Sequence, residues 1–279
     1  MFRIRIVLSV TLAAVLSGLA AAAPAPSAKL AAPPLFPPIA QIMGEANGPL
    51  PGYSKPRDFD ELLSDLHSAD QQARRSAVTA LGSEGNIRAV PYLGAVVLQL
   101  NEDLGIRVSA AMALGRIRNW RAATFLRQSL RDGAREVRFA SALALGQSKG
   151  QGTVALLAGS LHNDADWWVR FAAAVSLGED RDPRAVDSLA EAAETDPEWQ
   201  VRMQAVRSLG QIGSRDAARA LGRPLRDPDP SVRAATAMAL SDIGGVDAIS
   251  LLAGALHEET QDFPRRVISD GLQRLLAKP

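Results

Sequence analysis

The chain has 279 residues, no cysteine, and 31 basic against 30 acidic side chains, for a net charge of +1. The absence of cysteine excludes disulfides, thiolate metal sites and a thiol nucleophile. The near-neutral balance excludes the global positive field with which a protein grips phosphate backbones, so nucleic acid is not an expected partner.

Arg3 and Arg5 precede an apolar run from Ile6 to Leu19 and then Ala20 to Ala23. A basic start, an apolar stretch and small residues read as a secretory signal peptide over residues 1–23, cleaved after Ala22 or a neighbouring alanine. An uncleaved membrane anchor is the alternative, although the run is only marginally long enough to span a bilayer. Cleavage leaves 29 basic against 30 acidic residues, a net charge of −1. Residues 24–57 are rich in proline and alanine, as in Pro33-Pro34-Leu35-Phe36-Pro37-Pro38, and read as a linker. Its Leu35, Phe36, Ile39, Ile42 and Met43 leave open that part of it docks on the body of the protein.

From residue 58 to 279 one pattern repeats. Arg74, Arg107, Arg138, Arg170, Arg202, Arg233 and Arg265 recur at steps of 33, 31, 32, 32, 31 and 32 residues. A fixed step of this size is the signature of stacked repeats that bury their apolar faces only against neighbours. With each Arg as zero, position −1 is mostly Val or Ile, +3 and +6 are Ala, Ser or Thr in the first six units, and +7 is leucine from Leu81 to Leu272. Together with Ile117, Ile212 and Ile243 at +10, these residues form one stripe of a 3.6-residue helix. Position +8 is Gly82, Gly115, Gly146, Gly178 and Gly210, where glycine is expected to loosen or end that helix. A second apolar helix follows, with leucine at +19 from Leu93 to Leu252. Position −6 carries Ser68, Asn101, Asp132, Asp164, Asp196, Asp227 and Glu259, all hydrogen-bond acceptors, several suited to a helix N-terminus. The repeating Arg is therefore expected to partner acidic groups across the stack rather than to perform chemistry seven times over.

Segments such as 132–146 (DGAREVRFASALALG) and 227–240 (DPDPSVRAATAMAL) resemble HEAT-like repeats of the phycobilisome-lyase type, over about residues 58 to 276. The resemblance implies an all-α, right-handed α-solenoid of six helical hairpins. A helix around Phe59, Leu62, Leu63 and Leu66 would cap the front, and one from Arg265 to Leu276 the back.

Two enzymatic relatives share such repeats, the bilin lyases and the deoxyhypusine hydroxylases, and an enzyme or enzyme subunit of those types is the alternative function. The hydroxylase pattern places a His-Glu pair directly after the repeat Arg, where this chain has Arg75-Ser76, Val108-Ser109, Phe139-Ala140, Phe171-Ala172, Met203-Gln204, Ala234-Ala235 and Arg266-Val267. The histidines, His67, His162 and His257, stand 95 residues apart and end second helices, too far from one another to share a metal. No catalytic residue, metal site or cofactor is expected.

Positions −3, −2, +1, +2, +5 and +9 are expected to line the exposed side of the first helices, which the resemblance makes the concave groove. They carry Val108, Met112, Phe139, Leu143, Trp167, Trp168, Phe171, Val175, Trp199, Met203 and Met238, with Arg207 and neighbours such as Arg116, Arg135, Gln147, Glu179, Gln200, Gln204 and Gln211 as a polar rim. Contiguous exposed apolar area marks interaction sites, and Trp and Met are favoured anchors. The sequence therefore points to an exported, periplasmic or secreted scaffold that binds a protein or peptide, with self-association through the same patch as a variant. The competing expectation is that curvature or the Pro-rich segment buries these side chains. Trp120 falls outside the set and is expected to pack.

Overall fold

The computed structural model describes residues 57–277 apart from Lys149 and Gln151. The expected signal peptide over 1–23 and the Pro/Ala-rich stretch over 24–56 lie outside the described residues.

Among the described residues the chain is all-α and strand-free. After α1 (Phe59–Leu66), six hairpins follow: α2 (Gln71–Glu84) with α3 (Val90–Leu98), α4 (Leu104–Ile117) with α5 (Ala122–Ser129), and α6 (Arg135–Ser148) with α7 (Thr153–Asn163). Next come α8 (Trp167–Glu179) with α9 (Val186–Thr195), α10 (Trp199–Ile212) with α11 (Arg215–Ala220), and α12 (Pro230–Ile243) with α13 (Gly245–Glu258). The closing helix is α14 (Asp262–Leu276). The even-numbered helices each carry one repeat Arg and pack in sequence against one another, while the odd-numbered helices back them. That is a solenoid of two layers. No described helix is long and apolar enough to cross a membrane.

The stripe at −1, +3 and +7 is the core between layers. Val137, Val169, Val201 and Val232 are fully buried, as are Leu81, Leu145, Leu209 and Leu240, and the second-helix leucines Leu93, Leu126, Leu189, Leu221 and Leu252 meet them. Truncating one such leucine to alanine costs about 2–5 kcal/mol.

The +8 glycines act differently from the sequence expectation. Their helices continue one or two residues beyond them, and the left-handed C-caps fall later, at Gly85, Arg118 and Gly213. What +8 requires is close approach: a Cβ on Gly82 would lie 2.5 Å from Ala113 Cβ, and one on Gly178 2.6 Å from Ser208 Cβ. The partner in each case is the +6 residue of the next repeat. At the last seam the sizes are exchanged, with Ser241 at +8 facing Gly271 at +6. Hydroxyls at +6 use the contact, Ser176 donating to the Ala142 carbonyl (3.0 Å) and Ser208 to the Ala174 carbonyl (2.7 Å).

The helices start at position −4 rather than −6. Asp70, Asp103, Asp166 and Asp229 cap α2, α4, α8 and α12 by accepting from backbone N–H groups two or three residues on. Pro230 fits the first turn of α12, where its missing N–H has no partner to lose.

Candidate functional site

Two features of the stack bear on function, and the seam between repeats comes first. Arg138 Nε and Nη2 donate to both Asp164 oxygens (2.8 and 2.9 Å), Arg170 to Asp196 (2.7 and 2.9 Å), and Arg202 to Asp227 (2.7 and 2.9 Å). Arg233 forks Glu259 in the same way, and Arg107 reaches Asp132. The remaining Nη1 of Arg138, Arg170, Arg202 and Arg233 turns back to the carbonyl of its own −6 residue. The −6 carboxylate accepts, in turn, the amide two residues on, as Asp196 does from Glu198 and Asp227 from Asp229. Each guanidinium thus clamps two successive loops. The expected pairing across the stack is present, with one correction: Arg74 forks Glu102 (2.8 and 2.9 Å), at −5, and not Asn101. An amide offers one acceptor oxygen where a carboxylate accepts the fork bidentately.

These contacts set the charges. The bidentate carboxylates hold Arg138, Arg170 and Arg202 above their ordinary pKa. Arg74 and Arg233 hold Glu102 and Glu259 below theirs.

The inner face is deeper than the sequence suggests. Val108, Met112, Phe139, Phe171, Val175 and Met203 were expected on an exposed face, and all six are buried; Phe171 is 5% exposed and Met203 1%. Gln204, expected on the rim, is buried too, its Nε2 donating to Ser208 Oγ (3.2 Å). The glycine seams bring the inner helices so close that positions +1 and +2, and at Met112 and Val175 also +5, sink between them.

What stays accessible is the edges of the face. At the N-terminal ends of α8 and α10, Trp167, Trp168 and Trp199 are half-buried. Trp167 stacks on Trp168 with centroids 4.3 Å apart, and Trp168 stands edge-on to Phe139 (6.1 Å) and Phe171 (6.3 Å), roofing both. Leu143 is half-buried on the floor, and Met238 is 54% exposed. Trp120 does not pack into the core: it is 64% exposed, with Arg121 over its ring.

Toward the other edge stand Arg116 in the last turn of α4 and Arg207 midway along α10, both half-buried and held below their ordinary pKa by burial. The remaining described arginines that are not exposed, Arg57, Arg74, Arg75, Arg107, Arg138, Arg170, Arg202 and Arg233, each have a carboxylate. Neither Arg116 nor Arg207 has one among the described residues, and Arg116 Nε is buried without an acceptor.

The histidines sit on the outer layer. His67 follows α1 with Nδ1 2.9 Å from the Leu63 carbonyl, and His162 and His257 occupy the last turns of α7 and α13. Among the described residues no group of three His, Cys, Asp or Glu side chains is placed to hold a metal ion.

A family model described as HEAT repeats matches residues 59–146, 126–202 and 186–273. No curated protein matches by sequence. Among solved structures, an Escherichia coli protein, YibA, is 16% identical over 80% of this chain and 93% of its own, with a TM-score of 0.50. The complex of CpcE and CpcF of phycocyanin lyase from Nostoc is 19% identical over 90% of this chain and 100% of its own (TM-score 0.48). Human deoxyhypusine hydroxylase in complex with glycerol is 21% identical over 79% and 85% (TM-score 0.42).

Proposed function

This chain belongs to the HEAT-repeat family, and on that premise we propose that it is a non-catalytic scaffold holding a protein or peptide along the inner face of its solenoid. The observation that carries the reading is the row of half-buried tryptophans, Trp167, Trp168 and Trp199, at one edge of consecutive repeats above an apolar floor. Trp168 roofs Phe139 and Phe171, but Trp167 and Trp199 stay partly in water on the same edge, and Trp is among the residues most enriched at the hot spots of protein interfaces. Export accompanies the proposal, on the basic, apolar and alanine-rich sequence of residues 1–23.

The test is binding of a random 12-residue peptide library to wild type and to Trp167→Ala/Trp199→Ala. Wild type enriches defined sequences; the double variant loses them by tenfold or more while its thermal midpoint moves by only about 2–4 °C, as for surface changes worth about 1 kcal/mol. Enrichment indifferent to both tryptophans would refute the inner-face assignment. Stoichiometric iron in the purified protein together with turnover of a substrate would replace the scaffold by the enzymatic alternative. Cell fractionation followed by N-terminal sequencing checks export: protein found only in the cytoplasm contradicts it, and a start after the alanine run supports cleavage.

A further inference from the structure

Arg116 and Arg207 break the rule that the other described arginines out of water follow. Where an arginine leaves water in this protein, a carboxylate meets it. These two leave water without one, and both face the groove side of inner helices: Arg116 at +9 of α4, and Arg207 at +5 of α10. A guanidinium cannot shed its charge to escape the cost, because its pKa lies far above any physiological pH. Desolvating it unpaired therefore costs stability that a carboxylate arriving from outside would recover.

Resting on the inner-face reading above, we propose that the occupant is an extended peptide carrying acidic side chains, two of which pair with Arg116 and Arg207 while its apolar side chains lie against Leu143 and the tryptophan edge. Helices α6 and α8 stand between α4 and α10. At about 9 Å per packed helix, three steps put the two arginines roughly 27 Å apart, or about eight residues of extended chain at about 3.3 Å each. Glu179, at +9 of the intervening α8, repels a third acid between them. The pattern read is acid, then neutral or basic, then acid.

An acidic peptide suits the site better than a nucleic acid strand. Among the described residues only Arg116 and Arg207 are out of water without a carboxylate, the chain as a whole is nearly neutral, and Glu179 lies in the path of a continuous phosphate backbone.

The experiment uses the same random 12-residue library on wild type and on R116Q/R207Q, followed by synthesis of the enriched peptides and of their Glu→Gln or Asp→Asn forms. The proposal expects enrichment of sequences with two acids no more than about eight residues apart. It also expects at least tenfold weaker binding, measured by fluorescence anisotropy, both for the neutralised peptides on wild type and for the acidic peptides on the variant. Affinity should fall as salt rises from 50 to 300 mM. Enriched peptides lacking acids, or acidic peptides held equally by the variant, overturn the acidic assignment and leave the inner-face reading standing. No enrichment on wild type overturns both. Displacement by a poly-dT oligonucleotide at equal salt overturns the peptide in favour of a nucleic acid. Should the variant fail to fold, the neutralised peptides on wild type still decide.

Discussion

The seam between repeats and the inner edges of the solenoid use the same side chains in opposite ways. At the seam, Arg170 and Arg202 are buried, forked onto carboxylates and tied to loop carbonyls, so nearly every donor is satisfied. At the inner edge, Arg116 and Arg207 are desolvated without an acid. The aromatic residues divide similarly, with Phe139 and Phe171 sealed under Trp168 while Trp167 and Trp199 keep one side open. A repeated, saturated arrangement points to structure, and an unrepeated, unsaturated one to something that binds.

The sharpest way to break this contrast is to unpair the seam. Asp196→Ala leaves Arg170 buried without its acid, and urea unfolding should show a loss of about 3–5 kcal/mol. A loss below about 1 kcal/mol would mean that the ladder is no more structural than a surface pair.

Next is the glycine seam. Gly178→Ser should cost about 1–3 kcal/mol through overpacking against Ser208. Adding Ser208→Gly reproduces the exchanged arrangement of Ser241 and Gly271, and should restore most of the loss in the same assay.

A smaller effect comes from acid. Glu102 and Glu259 have folded pKa values depressed by their arginines. Their stabilisation is therefore complete above the ordinary glutamate value of 4.5 and declines as pH falls from there through the depressed folded values. Glu259→Gln should flatten the part of the thermal midpoint's pH dependence below about pH 4.5; an unchanged slope would remove Glu259 from the account.

The smallest effect sharpens the other side of the comparison. Arg207→Gln removes a desolvated charge that has no described partner, so stability should change by less than about 0.5 kcal/mol or increase. A loss as large as that of Asp196→Ala would make Arg207 part of the scaffold.

Much of the fold was legible because repeats write their register locally. The −1, +3 and +7 stripe, leucine at +19 and the six hairpins follow from helical period and residue size, which each segment carries by itself. The Arg ladder was legible too, since an arginine recurring beside a recurring acid implies a pair. Its first rung was not: Asn101 holds the −6 register, yet the carboxylate one residue later takes the fork. Hydrogen-bond chemistry overrode position there.

The candidate site was half legible. Counting from each Arg placed Trp167, Trp168, Trp199, Arg207 and Met238 on the inner face, where they keep some exposure, but it also placed Phe139, Phe171 and Met203 there as open groove. A helical wheel assigns a side chain to a direction and is silent on how far away the next helix stands.

The sequence by itself determined an all-helical repeat stack, its inner and outer layers, and the arginines that tie it together, because period, size and charge act within a segment and between equivalent positions. Only the tertiary structure decided how deep the inner face is and which cations lack an acid. Both depend on the separation of packed helices, set jointly by +8 on one repeat and +6 on the next.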